Sequence, residues 1–162
     1  MLTSLELTHI ALVGVGATVV LDLWLLMLSR LGIPAANFAL IGRWIAYMAR
    51  GRFQHAPISQ TPPAPFERLL GWLTHYVVGI AYAAMLVSVM GLDWLRHPSL
   101  APALAFGLAT VLVPLLVMQP AMGSGFASSK TPAPLRNCLR SLQNHAVFGD
   151  GLYLTAAALA LT

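Results

Sequence analysis

Three ionisable residues, Asp22, His75 and His145, stand inside long apolar runs of this 162-residue chain. Charged side chains are expensive in such surroundings, so they turn inward and pair. An aspartate and a histidine held together can relay a proton, because burial pushes a carboxyl toward its neutral form and imidazole titrates near neutral pH. His75, His145 and Asp22 could also ligate a divalent metal with an open position, although they lack the local spacing of a helical zinc motif. Two histidines on separate helices are equally what haem iron requires. Asp150, Gln119, Tyr82 and Tyr153 lie in the same apolar runs, so they join the ligand-binding or proton-relay set. The plainer alternative for each histidine is a hydrogen bond to a neighbouring helix.

A second polar group falls between the first two apolar runs: Arg43, Arg50, Arg52, His55 and Glu67. These side chains could hold a lipid headgroup or another anion. Arginines there also carry topology information. Gly123 and Gly125 in MGSGF read as an anion nest or, more simply, a turn after Pro120. Ser124 between them is not in a nucleophile-elbow pattern. Cys138 is the single cysteine, which excludes an internal disulfide and a thiolate zinc site.

The elements that position these groups follow from composition. Hydrophobic residues make up 58% of the chain and charged ones 9%, with a mean hydropathy of +0.77. A water-soluble domain carries about 25% charge, so the pattern points to an all-α, four-transmembrane-helix bundle forming a single integral membrane domain over residues 1–162. The expected spans cover about 9–28, 69–92, 99–119 and 141–160, each enough for roughly 30 Å of hydrocarbon. Pro114 should kink the third. Between spans one and two, Phe38, Ile41, Ile45 and Met48 recur at helical spacing, which predicts an interfacial amphipathic helix over 37–50, capped by Asn37 and stopped at Gly51. The apolar N-terminal stretch lacks a basic leader and contains Asp22, so it reads as a mature helix.

The net charge of +4 comes from loop residues and is a topology signal, not a nucleic-acid surface. Arg30, Arg43, Arg50, Arg52 and Arg68 precede span two, and Lys130, Arg136 and Arg140 precede span four; Arg96 alone lies on the other side. The positive-inside rule then makes those two loops cytoplasmic and turns both termini outward. Counted at about 1.5 Å per residue from the basic edge, Asp22 lies roughly 12 Å deep, His75 roughly 10 Å, His145 roughly 8 Å and Asp150 roughly 15 Å.

Two patterns recur in order. ATVVLDL (Ala17 to Leu23) is echoed by ATVLVPL (Ala109 to Leu115), and His75-x3-Gly79 by His145-x3-Gly149. This suggests a parallel repeat of two-helix hairpins, with Pro114 standing where the first copy has Asp22.

Further motifs are spread over nearly the whole chain: GAT with DLW (Gly16 to Thr18, Asp22 to Trp24), GRW (Gly42 to Trp44), GRF followed by His55, ERxxGWxxHY (Glu67 to Tyr76), QPxMGxG (Gln119 to Gly125) and HxxFGxGLY (His145 to Tyr153). On these residues the chain resembles a family of small four-span bacterial inner-membrane proteins classed as a domain of unknown function. The resemblance implies a bacterial inner-membrane location and carries no reaction. Asp150 fills the variable position of FGxGLY.

The functional expectation is therefore a membrane protein that binds or transports a small molecule through a cytoplasm-facing polar site, its surroundings a lipid bilayer and its assembly compatible with a homodimer. The alternatives are an integral-membrane enzyme acting on a lipid or quinone-like substrate with His and Asp as acid and base, or an accessory subunit carrying haem or a divalent metal.

Overall fold

A computed structural model describes residues 2–34 and 36–160 of the chain. The described residues form helices joined by turns and loops and contain no strand. Helix α1 spans Ser4–Arg30, α2 Phe38–Met48, α3 Glu67–Met90, α4 Asp93–Arg96, α5 Leu100–Thr110, α6 Gln119–Ala121 and α7 Pro134–Ala160. A single π turn, Pro114–Met118, joins α5 to α6 in a continuous 22-residue helix.

Local chemistry sets the ends. Thr3 and Glu6 form a reciprocal capping box, with the Glu6 N–H donating to Thr3 Oγ1 at 3.2 Å and the Thr3 N–H donating to Glu6 Oε2 at 2.7 Å. This extends α1 a turn upstream of the expected span. Asn37 caps α2, its Oδ1 accepting from the Ala39 N–H at 3.1 Å, and Gly51 turns the chain away at φ 78°, both as the spacing predicts. Helix α7 starts at Pro134, before the expected residue 141, because proline at the first helical position sacrifices only an N–H that has no intrahelical partner there. The kink at Pro114 takes the form of a π turn: proline cannot donate to the Thr110 carbonyl, and the Gln119 N–H bonds back to the Pro114 carbonyl.

Three helices are long and apolar enough to cross a membrane: Ser4–Arg30, Glu67–Met90 and Leu100–Ala121. Helix α7 matches α1 in length, 27 residues each, but Arg136, Asn137, Arg140, Gln143, Asn144 and His145 make its first half too polar to join that set. Helix α2 is a shorter apolar helix of 11 residues.

The chain divides into two compact units. The first, residues 1–35, 76–110 and 144–162, contains the main core: Val13 and Ala17 from α1, Ala83 and Leu86 from α3, Ala103 from α5, and Phe148 and Leu152 from α7. Glycines set the helix spacing there. A Cβ on Gly14 would stand 2.5 Å from Ile80 Cα on α3, and one on Gly107 would stand 2.6 Å from Gly149 Cα on α7. A threonine follows each glycine and bonds back to its carbonyl, Thr18 to Gly14 at 2.8 Å and Thr110 to Gly107 at 2.6 Å. The α1/α3 and α5/α7 pairs are thus built alike. Such close backbone approach is how apolar helices associate where lipid removes the hydrophobic drive.

The second unit, residues 36–75 and 111–143, places α2 across the start of α3, where a Cβ on Gly71 would lie 3.2 Å from the Gly42 amide nitrogen.

Candidate functional site

The polar residues of the first unit fall into interhelical pairs. Asp22 on α1 accepts a hydrogen bond from the Tyr76 hydroxyl on α3 at 2.8 Å. Two residues along α1, the Trp24 indole N–H donates to Asn144 Oδ1 on α7 at 3.1 Å. His145, next on α7, has its Nδ1 2.8 Å from Thr110 Oγ1 on α5. The pairs therefore link α1 to α3, α1 to α7 and α5 to α7, and all these side chains are buried or half-buried. Thr110 closes the last turn of α5.

The other expected members are placed differently. Tyr82 packs edge-on against Phe106 and Phe148, with ring centroids 6.3 and 6.0 Å apart, so its ring belongs to the core. Tyr153 packs against the same cluster. Asp150 is half-buried.

In the second unit His75 lies in an aromatic slot, its ring centroid 4.3 Å from Phe38 and 5.9 Å from Trp72. Gln119 Oε1 accepts from the Ser128 hydroxyl at 2.9 Å and its carbonyl from the Ser124 N–H at 2.8 Å, closing the loop after α6. Among the described residues no three His, Cys, Asp or Glu side chains are grouped to hold a metal ion. The divalent-metal reading therefore finds no ready ligand set.

The loop residues divide into internal and surface groups. Arg43 is buried and makes a two-pronged bond to Glu67, Nε to Oε2 at 2.7 Å and Nη2 to Oε1 at 2.9 Å. Its Nη1 donates to the Thr61 carbonyl at 2.7 Å. Glu67 also accepts from the Ala64 N–H at 2.9 Å, which anchors the turn leading into α3. Hydrogen bonding to Glu67 holds the Arg43 pKa above its ordinary value. Arg43 and Glu67, both expected in the headgroup or anion-binding group, thus clasp α2, the proline-rich loop and α3. Arg50 and Arg52 are exposed, each 5.6 Å above the Tyr47 ring. His55 is buried, its Nδ1 2.9 Å from Thr61 Oγ1. Desolvation, reinforced by the Arg52 charge, lowers its pKa below 6.5.

The model of the family described as Protein of unknown function (DUF2938) matches residues 11–159. The chain belongs to that family. No curated protein and no solved structure matches it. The match runs from the third turn of α1 to Leu159, one residue short of the end of α7, so all of the polar pairs above lie within the DUF2938 region.

Sequence reasoning missed Tyr76, Trp24 and Thr110 as partners. Tyr76 adjoins His75 and so shared its depth, and Thr110 sits in the repeated ATV pattern. Those signals were available. The choice of Tyr76 over His75 for a given face was not, because adjacent residues differ by about 100° around the helix and only packing selects the rotation.

Proposed function

We propose that this DUF2938 protein is a four-span bacterial inner-membrane protein that binds and moves a small molecule in a proton-linked manner, with Asp22 as the protonatable site. The observation that carries this is the Asp22–Tyr76 pair at 2.8 Å, set between two helices apolar enough to cross a membrane. A carboxylate at that depth is costly unless a function retains it. Tyr76 can donate to the ionised form or follow the proton as it leaves. Trp24–Asn144 and Thr110–His145 extend the polar level to α7 and α5.

Helix α7 supplies the fourth crossing. Its 27 residues extend about 40 Å at 1.5 Å each, and its second half contributes Phe148, Leu152 and Ala156 to the core shared with α1 and α3. The arginines of its first half then sit at the cytoplasmic edge, and both termini face the periplasm.

Proteoliposomes enclosing a pH-sensitive dye test the proposal under an imposed pH gradient. The wild-type protein should pass protons faster than protein-free vesicles, Asp22→Asn should reduce the flux at least tenfold, and Tyr76→Phe should reduce it less. A wild-type rate equal to the empty-vesicle rate, or an unchanged rate in a folded Asp22→Asn variant, refutes the proton-linked role.

A further inference from the structure

The second unit contains a cleft of about 650 Å³ whose lining includes Arg52, Gln54, His55, Pro120, Gly123 and Lys130, and no carboxylate. We propose that this cleft is a phosphate-binding site, in which Arg52 and Lys130 hold the anion against the wall formed by His55 and the Gly123 turn. The proposal is independent of the proton-linked role of Asp22.

The floor is rigid. The His55 N–H donates to the Ala121 carbonyl at 2.8 Å and the Ile58 N–H to the Met122 carbonyl at 2.9 Å, which joins the two loop segments side by side. Gly123, at φ 91°, lets them touch: a Cβ there would stand 2.6 Å from the His55 carbonyl oxygen and 2.7 Å from Pro57 Cα. The Lys130 N–H donates to the Ser124 carbonyl at 2.9 Å, so the backbone beneath the lysine is held as well. Arg52 rises from a turn in which its own N–H donates to the Tyr47 carbonyl at 3.0 Å, with its guanidinium over the Tyr47 ring. Only the two cationic tips remain to be ordered by a ligand, which lowers the entropy lost on binding.

The wall carries a second sign of a missing partner. His55 is only 6% exposed, its Nδ1 is matched to Thr61, and its Nε2 is buried with no hydrogen-bond partner among the described residues. Buried polar groups are nearly always satisfied. With the Thr61 hydroxyl donating to Nδ1, Nε2 carries the ring proton and needs an acceptor, which an oxygen of a ligand entering the cleft, or a water it carries, would supply. Two cations without an acid between them favour an anion, and the fork of Arg52 beside the point charge of Lys130 suits the several oxygens of a phosphate. The phosphate could belong to an anionic phospholipid headgroup or to a soluble phosphate ester.

The test uses the purified full-length protein in neutral detergent, titrated with inorganic phosphate at constant ionic strength, and in parallel the protein in nanodiscs of phosphatidylcholine with or without phosphatidylglycerol. Stabilisation by inorganic phosphate assigns the site to soluble phosphates; stabilisation by phosphatidylglycerol alone assigns it to a headgroup. In either arm the combined Arg52→Gln and Lys130→Gln variant should bind about twenty-fivefold more weakly, at roughly fivefold per basic residue. Arg68→Gln, which removes an exposed charge outside the cleft, should bind as the wild type. No stabilisation in either arm overturns the proposal, as does equal weakening by Arg68→Gln or full binding by the double variant.

Discussion

Replacing Glu67 by alanine should be among the most damaging single changes outside the helical core. The substitution removes the acceptor of two Arg43 bonds at 2.7 and 2.9 Å and of the Ala64 N–H bond at 2.9 Å. The Arg43 side chain, 10% exposed, keeps the Thr61 carbonyl at 2.7 Å and a longer contact to Ile58 at 3.4 Å, so its charge stays buried without a counterion. Breaking a buried pair in this way costs roughly 3–5 kcal/mol. Glu67 is itself 18% exposed, and water entering the vacated space places the expectation near the lower end, about 3 kcal/mol. Glu67→Gln preserves shape but turns an amide donor toward the guanidinium, and should cost roughly 1.5–3 kcal/mol, the worth of a charged hydrogen bond. Removing both partners with apolar residues, Arg43→Met with Glu67→Leu, should cost far less than the two single changes added together, since no orphaned charge remains. Unfolding by sodium dodecyl sulfate in mixed micelles, followed by tryptophan fluorescence, measures each free energy. A Glu67→Ala cost below about 1 kcal/mol, the level of an exposed pair, or additive behaviour in the double variant, would refute the clasp.

Other expectations follow from the same geometry. Gly107→Ala and Gly149→Ala should each destabilise by about 1–3 kcal/mol, overriding the roughly 1 kcal/mol gain in helix propensity, because the new Cβ atoms meet backbone at 2.6 and 2.9 Å; the same micelle titration checks this, and a stability gain contradicts the close crossing. His55, whose pKa is lowered by burial and by Arg52, is harder to protonate in the fold than in the unfolded chain, where it protonates near 6.5. Its contribution is therefore complete above that pH and lost as pH falls below it, so stability measured from pH 7.5 to 5 should fall less in His55→Gln than in wild type. An identical slope would exclude it. For orientation, cysteines at Ser59 and Ser129, both exposed, should resist an impermeant thiol reagent in intact cells and react after permeabilisation. Labelling of Ser59→Cys in intact cells reverses the topology.

Much of the helical layout was legible because it depends on local rules. Asn37 and Gly51 bound α2 through capping and a positive φ, and Pro114 disturbs the third apolar helix through its missing N–H. Apolar runs of span length marked α1, α3 and the α5–α6 helix. The expected fourth span, 141–160, falls within α7, which begins among arginines and amides and is not one of the three helices apolar enough to cross a membrane.

The sequence by itself determined an all-helical, membrane-compatible chain, the order of its elements, and the identity of the costly polar residues within apolar runs. These follow from hydropathy and from interactions spanning a few residues. Tertiary structure alone decided which groups pair. Arg43 meets a carboxylate 24 residues away, Asp22 meets Tyr76 54 residues away, and His145 meets Thr110 35 residues away. Each choice depends on how far one helix is rotated against the next, and that rotation is set where backbones touch, at Gly14 beside Ile80, Gly42 beside Gly71 and Gly107 beside Gly149. A glycine in a sequence signals that close approach is allowed; only the packed fold determines which helix arrives there and which side chains then face each other.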